Sequence, residues 1–487
     1  MMRKPKQDIV LTDVEIVDAA AEGNAIAKVD GMVVFVPFVV PGDIVDLRLI
    51  KKKKNYAEAR AIAVKRPSPL RSEPQCQHFG VCGGCKWQNM QYDAQLRYKE
   101  QLVRDVLQRI GRIPTQGMRP ICGSDDIFYY RNKLEFTFSN KRWRTDDELR
   151  AALSTEAIGG EAPAATDNAV GFHVPTVFDK VLPIEHCALQ RDPSNAIRLF
   201  VRDYALQHHL SFYDIRNHCG FLRNIVIRCT STGQWMVILV VAEHNPDQLF
   251  PLLDALQERF PQITSLQYIV NTKLNDSYTD QQVVPYRGTD HIVEEMTGYD
   301  GDPTLRFTIN PKSFYQTNSA QARKLYGFVA EFADLQGNET VYDLYTGTGT
   351  IALFLASRCR KVVGIEYVEE AIADAKANAL LNNIGNATFH AGDMAKVLTA
   401  DFIAANGTTD VVVTDPPRAG MHEKVIEQLL QCQPSKIVYV SCNPATQARD
   451  LALLAPRYTV ARIQPVDMFP HTQHVENVAE LLLTPTA

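Results

Sequence analysis

The C-terminal part of the sequence alternates strand and helix patterns regularly, and this alternation constrains the fold more than any other feature. From about residue 305, short apolar runs typical of buried strands are separated by segments with helical periodicity. The order predicts an α/β domain over 305–487 with a doubly wound sheet, whose ligands bind at the carboxyl ends of the strands. A helix is predicted over 319–334, and strands over 341–345, 361–366, 387–390, 411–415, 437–441, 459–466 and 478–483.

The first of these strands leads into a glycine-rich turn. Residues 343–350 read Asp-Leu-Tyr-Thr-Gly-Thr-Gly-Thr and precede a helical pattern that starts at Ile351. Glycines let the backbone approach a cofactor closely. The next strand ends at Glu366, which lies roughly twenty positions on, where a ribose hydroxyl would be bound. The spacing also suits a nicotinamide fold, but the second and third glycines of that fingerprint are missing.

A cysteine follows a later strand at the same edge of the predicted sheet. Cys442 comes directly after the predicted strand 437–441 and before Asn443-Pro444, which predicts a loop position. Most intracellular cysteines behave as small buried hydrophobes, so one thiol alone carries little weight. The preceding strand runs into residues 415–418, Asp-Pro-Pro-Arg, which predict a rigid loop beside it. The neighbouring motifs therefore favour a site at this edge.

Together these motifs resemble the RNA 5-methyluridine methyltransferase family, whose members methylate C5 of uracil. The matching segments are 314–318, 415–420, 441–444 and 471–476, and the glycine-rich turn resembles that of S-adenosylmethionine methyltransferases. The resemblance implies S-adenosylmethionine as cofactor, Cys442 as nucleophile and Glu476 as general base. Family positions for the cofactor correspond to Gln316, Tyr345, Glu366 and Asp393, with Asp415 near both cofactor and uracil.

The chemistry explains why such an enzyme needs a thiol. Carbon 5 of uracil is a poor nucleophile, and addition of a thiolate at C6 activates it. Free cysteine is only a few per cent thiolate at neutral pH, so the site or the substrate must assist ionisation. Three alternatives remain open: an amino-group methyltransferase that does not need Cys442, a non-catalytic RNA-binding assembly factor, and a metal site at His471, His474 and Glu476.

The N-terminal sequence predicts a separate small barrel over 1–66. Residues 8–66 alternate apolar and polar positions, with turns near Gly23, Gly31 and Pro41-Gly42. Segments 22–27 and 40–43 resemble a TRAM domain, an OB-like barrel that binds RNA. Its basic residues would form either a solvated loop or a phosphate-contacting edge; they are Lys51, Lys52, Lys53, Lys54, Arg60, Lys65 and Arg66. Residues 67–74 predict a proline-rich linker.

A cysteine-rich loop follows the linker. Cys76, Cys82 and Cys85 lie within ten residues, and the glycines between them would let the loop wrap around a metal centre. The spacing does not decide between zinc and an iron–sulfur cluster. The family resemblance implies a [4Fe–4S] cluster completed by Cys187. The other cysteines lie in apolar contexts that predict core positions; they are Cys122, Cys219, Cys229, Cys359 and Cys432.

The segment 75–300 predicts an α+β domain that carries this cysteine cluster. Its predicted helices lie at 92–110, 197–209 and 246–260, and its strands at 134–139, 224–230 and 235–242, while 151–169 is predicted to be a surface insertion or mobile loop. Basic residues at 131 and 133 match a basic motif of the family, for which a phosphate contact and an exposed strand edge are both plausible.

Composition is that of an ordinary globular protein, with 45% hydrophobic and 22% charged residues. Ten cysteines without a secretory leader predict a reducing, cytoplasmic location, and no apolar run is long enough to span a membrane. A net charge of −5 does not exclude a local RNA-binding patch. The expected partner is RNA, with 23S rRNA favoured and tRNA as the alternative. A monomer without an obligate protein partner is expected.

Overall fold

The computed structural model describes residues 9–20, 22–145, 148–150 and 167–485. The chain forms an N-terminal barrel, a central sheet with helices, and a C-terminal sheet between layers of helices. No helix in the described ranges is long and apolar enough to cross a membrane. Most of the insertion predicted at 151–169 lies outside the described residues.

Five strands form a closed barrel in the order β1-β2-β3-β5-β4. They are β1 (Val10–Ala19), β2 (Ala25–Val29), β3 (Met32–Val36), β4 (Ile44–Lys52) and β5 (Tyr56–Arg66). Alternate side chains point into the barrel, so that Ile16, Val34 and Leu47 are buried. The prediction of a small all-β barrel is confirmed.

The segment after the barrel is fixed to it through the buried carboxylate of Asp43. Arg71 donates two hydrogen bonds to this carboxylate, from Nε and Nη2, both at 2.7 Å. The Ser68 backbone N–H donates a third at 2.8 Å. Paired charge-assisted bonds of this kind define geometry as well as adding stability. The proline-rich residues therefore run along the barrel and do not form a free spacer.

The central sheet has seven strands, in the order β12-β11-β10-β9-β6-β7-β8. They are β6 (Lys133–Ser139), β7 (Ala169–His173), β8 (Val181–Pro183), β9 (Leu222–Cys229), β10 (Trp235–Val241), β11 (Ile263–Val270) and β12 (Val283–Gly288). Helix α1 (Tyr92–Arg109) precedes the sheet, while α2 (Ser194–Gln207) and α3 (Pro246–Arg259) pack on one of its faces. The predicted α+β arrangement is present.

A hairpin connects this sheet to the C-terminal domain. Its strands are β13 (Ile292–Met296) and β14 (Leu305–Ile309), which pair antiparallel. Their buried side chains, including Phe307, share one core with Val240 of the central sheet and with Leu325 of the next helix. The two sheets are therefore joined by a continuous apolar core.

The C-terminal sheet has the order β17-β16-β15-β18-β19-β21-β20, with the first five strands parallel and β21 antiparallel to both of its neighbours. The strands are β15 (Thr340–Leu344), β16 (Lys361–Glu366), β17 (Ala387–Ala391), β18 (Val411–Thr414), β19 (Lys436–Ser441), β20 (Tyr458–Val466) and β21 (Glu476–Leu483). The helices are α4 (Ser319–Ala333), α5 (Thr350–Leu355), α6 (Glu369–Leu381), α7 (Met394–Val397), α8 (Ala400–Asn406), α9 (Glu423–Cys432) and α10 (Pro444–Leu454). The doubly wound sheet is confirmed.

The strand order reverses on either side of β15, because β16 and β18 flank it and continue in opposite directions. In open α/β sheets the ligand lies in the crevice outside the carboxyl ends of the strands at such a reversal. The glycine-rich turn leaves β15 at this point.

One core prediction is wrong. Cys219 is exposed, whereas Cys229 and Cys359 are buried and Cys122 and Cys432 are half-buried. The apolar stretch before Cys219 contains Asp214, whose carboxylate accepts the backbone N–H groups of Arg216 and Asn217 at 2.8 and 3.1 Å. This side chain closes a turn, and the turn directs Cys219 to solvent.

Candidate active site

The glycine-rich turn after β15 provides an open backbone surface. Gly347 and Gly349 have φ values of 54° and 80°, and Tyr345 also has a positive φ of 64°. A Cβ at Gly349 would lie 3.0 Å from the Ala375 side chain and 3.1 Å from that of Phe389. Glycine is therefore required there for both conformation and space.

The acidic residue of the next strand is held against this turn. One carboxylate oxygen of Glu366 accepts the Gly347 backbone N–H at 3.1 Å, and the other accepts that of Val368 at 3.0 Å. The carboxylate thus reaches the glycine-rich loop from the end of β16. At the end of β17, Asp393 begins α7 and accepts the Ala395 N–H at 3.1 Å. Both predicted cofactor residues lie at the same edge of the sheet.

Gln316 approaches the turn from the loop between β14 and α4. Its carbonyl accepts a hydrogen bond from Asn132 Nδ2 at 2.9 Å, which ties the loop to the start of β6. Two residues earlier, the carbonyl of Phe314 lies 3.5 Å from the hydroxyl of Thr348 in the turn. The segment 314–318 therefore borders the glycine-rich turn.

Two aspartates with raised pKa values lie near the carboxyl ends of β15 and β18. Asp343 is fully buried and accepts hydrogen bonds from the Thr346 hydroxyl at 2.5 Å and the Ala352 N–H at 3.0 Å. Burial raises the pKa of Asp343 to about 7. Asp415 follows β18, and burial together with the nearby Asp343 raises its pKa to about 7 as well. Each carboxyl therefore holds a proton more tightly than an exposed aspartate does.

The predicted nucleophile and base lie on adjacent antiparallel strands. Cys442 follows the last residue of β19, and Glu476 is the first residue of β21. Ser441 and Asn477 pair directly across the ladder. Neighbouring strands lie about 4.8 Å apart, so the ladder brings together two residues that are distant in the sequence.

The thiol and the carboxyl both have raised pKa values. Burial, Glu476 and Asp415 raise the pKa of Cys442 to about 11. Burial and Asp415 raise the pKa of Glu476 to about 8, and Glu476 is only 6% exposed. Arg418 acts in the opposite direction on both pKa values, through its charge and through a hydrogen bond with the thiol.

The two histidines near Glu476 face different surroundings. His474 Nδ1 lies 3.4 Å from Nη2 of Arg418, and burial and Arg418 lower the pKa of His474 to about 4. His471 packs instead against Phe128, with ring centroids 4.3 Å apart, and its Nδ1 lies 3.2 Å from Gln95 Nε2. Across the described ranges, no three His, Cys, Asp or Glu side chains form a group that could hold a metal ion.

The four cysteines of the predicted cluster nevertheless affect one another. Burial raises the pKa of Cys85, together with the charges of Cys187, Cys82 and Cys76, to about 12. Gln88 connects two of them, because its Nε2 donates to the Cys85 Sγ at 3.2 Å and its Oε1 accepts the Cys76 N–H at 3.0 Å. The loop and Cys187 thus form one thiol-rich region beside the central sheet.

Comparisons with known proteins agree with this geometry. The family described as tRNA (Uracil-5-)-methyltransferase matches residues 280–484, and the TRAM domain matches 12–62. A protein of Bacteroides thetaiotaomicron named "Uncharacterized RNA methyltransferase" is 56% identical over 95% of this chain and 100% of its own length. One of the same name from Porphyromonas gingivalis is 53% identical over 96% and 99%.

This chain belongs to the uracil-5 RNA methyltransferase family. Among solved structures, the Pyrococcus abyssi tRNA (uracil-54, C5)-methyltransferase in complex with S-adenosyl-L-homocysteine is similar, with 28% identity and a TM-score of 0.72. The match covers 97% of this chain and 100% of that one. S-adenosylmethionine as methyl donor, an RNA substrate and a TRAM barrel follow from membership of the family.

For a uracil-5 RNA methyltransferase, the structure adds residues that the sequence did not single out. Arg418 belongs to the motif 415–418 but had no role predicted from sequence, although it lowers the pKa values of both Cys442 and Glu476. Asp343 was part of the glycine-rich motif and is the buried neighbour that raises the pKa of Asp415. The only sequence signal for Arg418 was its position directly after the rigid Pro416-Pro417.

Proposed function

We propose that this enzyme methylates C5 of a uridine in RNA through a covalent bond between Cys442 and C6 of the uracil. The observation that carries the proposal is the pairing of β19 with β21, which sets a half-buried thiol beside a buried carboxyl. This arrangement suits a reaction that needs a nucleophile and then a base at one pyrimidine ring.

Each of these residues would carry out one step of the reaction. The Cys442 thiolate, assisted by Arg418, forms the S–C6 bond, and the electrons of the C5–C6 double bond move toward the C4 carbonyl. S-adenosylmethionine supplies an electrophilic methyl group to C5 when bound. Glu476 then takes the C5 proton, the double bond reforms, and the cysteine leaves as thiolate. Asp415 lies beside both groups and keeps the Glu476 pKa high, so a proton once taken is held.

RNA can reach this site with the help of the barrel. The basic residues at the end of β4 and along β5 are exposed, and two of them form ion pairs at the surface, Lys51 with Glu58 at 3.2 Å and Lys65 with Asp46 at 3.1 Å. Exposed pairs of this type contribute little free energy, so these cations are available to phosphates. Large-subunit rRNA is the first candidate substrate, because the barrel and cysteine loop together resemble the rRNA enzymes.

tRNA is the second candidate, and one observation favours it. The Pyrococcus abyssi protein named as a tRNA (uracil-54, C5)-methyltransferase matches this chain over nearly its whole length, barrel included. The deciding experiment incubates the enzyme and labelled S-adenosylmethionine with 5-fluorouridine-containing 23S rRNA or tRNA. Fluorine cannot leave as a proton does, so the true substrate forms an RNA–protein adduct that survives denaturation. Methyl transfer to ordinary RNA without any adduct would instead indicate amino-group chemistry.

The pH dependence of the reaction follows from Glu476. A base works only when ionised, and a pKa of about 8 leaves Glu476 mostly protonated at pH 7. We therefore expect kcat, which includes this proton removal, to rise with pH by about tenfold per unit below pH 8 and to level off above it. In contrast, kcat/KM should keep rising above pH 8, because it depends on ionisation of the Cys442 thiol, whose pKa is about 11. The measurement is the initial rate of methyl transfer from pH 6 to pH 9. A flat profile across that range would contradict the assignment.

Cofactor binding tests the role of Glu366. Glu366→Gln keeps the shape of the side chain and removes its charge, so the hydrogen bonds to the ribose hydroxyls weaken. We expect the Kd for S-adenosylmethionine to rise about tenfold or more, as for loss of a hydrogen bond to a charged group. Isothermal titration calorimetry measures this directly. Glu370→Gln, an exposed change in the first turn of α6, serves as the control and should leave Kd unaltered.

We further propose that Cys76, Cys82, Cys85 and Cys187 hold a [4Fe–4S] cluster. The support is the chemistry of the donor set, since four thiols are the ligands such clusters take, and the Gln88 hydrogen bond to Cys85 Sγ is of the kind that tunes them. Cysteines bind iron as thiolates. The raised pKa values of Cys82 and Cys85 therefore imply that binding of the cluster releases protons.

Anaerobic purification tests the cluster. The intact protein is expected to contain about four iron atoms per chain and to absorb broadly in the visible range, whereas Cys85→Ser loses both. Cys219→Ser removes an exposed thiol and should change neither. Zinc in place of iron, or full iron content in Cys85→Ser, would overturn this proposal.

A further inference from the structure

Helix α1 buries polar side chains that face the loop between β20 and β21. Gln95 and Lys99 are completely buried, and Tyr92 lies on the same face of the helix. A buried ammonium group is costly unless it is paired and hydrogen-bonded. The partners of this row lie in the loop 467–474, which ends two residues before Glu476.

Lys99 forms a closed network at the start of that loop. Its Nζ lies 2.6 Å from Asp467 Oδ1, with both side chains fully buried, and also donates to the Phe469 carbonyl at 3.1 Å. The Tyr92 hydroxyl donates to the second oxygen of Asp467 at 2.8 Å. Asp467 in turn accepts the Phe469 N–H at 3.1 Å. Every polar atom of the ion pair is thereby tied to α1 or to the loop.

Gln95 fixes the middle of the loop. Its Oε1 accepts the His471 backbone N–H at 2.9 Å, while its Nε2 donates to the carbonyls of Trp87 and Met90 at 3.0 and 2.8 Å. His471 has a positive φ of 66°, which is uncommon outside glycine. Its carbonyl accepts two further N–H groups, those of Lys86 at 2.8 Å and Trp87 at 3.1 Å. His471 is therefore hydrogen-bonded through both its backbone N–H and its carbonyl.

The end of the loop reaches the reacting groups. His474 Nδ1 lies 3.4 Å from Arg418 Nη2, and Arg418 lowers the pKa of the Cys442 thiol. Glu476 follows and opens β21. A displacement of the loop would move His474, Arg418 and Glu476 together. Hydrogen bonds thus run from α1 into the loop, and the loop leads to His474 and, two residues later, to Glu476.

We propose that Gln95 and Lys99 are positioning residues that align Glu476 and Arg418 for the base step. This inference rests on the proposed function, because it takes Glu476 as the base. A base must lie within hydrogen-bonding reach of the proton that it removes. A displacement of about 1 Å can lower the rate by roughly 100-fold, so hydrogen bonds that hold the loop in place should keep the rate of the base step high.

The test uses Gln95→Met, which preserves size and adds no charge. We expect kcat to fall about 100-fold with the KM for S-adenosylmethionine unchanged. Because the base step is the one slowed, a covalent adduct should accumulate on ordinary, unfluorinated RNA. The double variant Lys99→Met/Asp467→Leu removes both charges of the ion pair together and should give the same adduct.

Val103→Ala on α1 is the matched control, since Val103 is buried against α10 and does not face the loop. It should lower the melting temperature without adduct accumulation. Normal kcat in folded Gln95→Met, or a loss that merely follows the unfolded fraction, would overturn the positioning role alone. No adduct of the unaltered protein with 5-fluorouridine RNA would overturn the proposed function, and this inference with it.

Discussion

Replacing Cys442 with alanine is expected to lower the rate of methyl transfer by about 10⁴-fold or more, as for loss of a nucleophile that acts together with other catalytic residues. The Cys442 thiol, directly after β19, is the nucleophile proposed to form the bond to C6. The same change should eliminate the adduct with 5-fluorouridine RNA. Binding of S-adenosylmethionine should persist, because the residues around the glycine-rich turn are untouched. Rate assays, denaturing gels and calorimetry measure these three outcomes.

Cys432→Ala provides the comparison, because Cys432 is also half-buried but ends α9 on the helix-covered face. Its removal is expected to alter stability slightly and leave turnover intact. Full activity in Cys442→Ala would exclude the covalent mechanism and favour methylation of an exocyclic amino group, where no activated carbon is needed.

Glu476→Gln is expected to lower turnover by about 10² to 10⁴-fold, the usual contribution of a general base. The early steps do not need this carboxylate, so methylated RNA should remain bound to Cys442 as a covalent species even without fluorine. A denaturing gel with labelled methyl groups would show this adduct. The variant should also lose the rise of rate with pH, because the group that titrates near pH 8 is gone.

Glu480→Gln is the matched control on the same strand. Glu480 is buried like Glu476, but its Oε1 accepts a hydrogen bond from Arg462 at 2.8 Å, away from the thiol. This change should reduce the free energy of unfolding, and no covalent RNA adduct should accumulate. If neither glutamate variant accumulates the adduct and both keep their turnover, another group removes the C5 proton.

Removal of charge at Glu476 also changes how stability depends on pH. Its pKa is about 8 in the folded protein, above the ordinary value of 4.5, so the stability that this group contributes is fully present below about pH 4.5 and is lost as the pH rises to about 8. This loss is part of the site's design, since a carboxyl with an ordinary pKa would be a weaker base.

Much of the fold and part of the site could be predicted from sequence, for identifiable physical reasons. Glu366, Asp415 and Cys442 each end or directly follow an apolar run, and in a parallel sheet such positions meet at one edge. The barrel was recognisable because its side chains alternate with period two. Periodicity of this kind is local, so a single sequence displays it.

The remaining features depend on contacts that periodicity does not encode. The helical pattern over 92–110 does not mark Lys99 as buried, yet it is buried because Asp467, 368 positions away, pairs with it. The influence of Arg418 on Cys442 and Glu476 arises from a loop that has no repeating pattern. Cys219 was wrongly placed in the core, because a side-chain turn at Asp214 is invisible in an average of hydrophobicity.

The depth of the thiol limits which nucleotides this enzyme can accept. Cys442 is only half exposed and Glu476 is almost completely covered, and the β19–β21 ladder prevents either from moving outward alone. A uracil stacked inside a continuous helix cannot reach them, so the target must swing out of its stack, at a cost of a few kcal/mol that is smallest in loops and bulges. Selection of the site in RNA thus begins with how easily a base can be flipped.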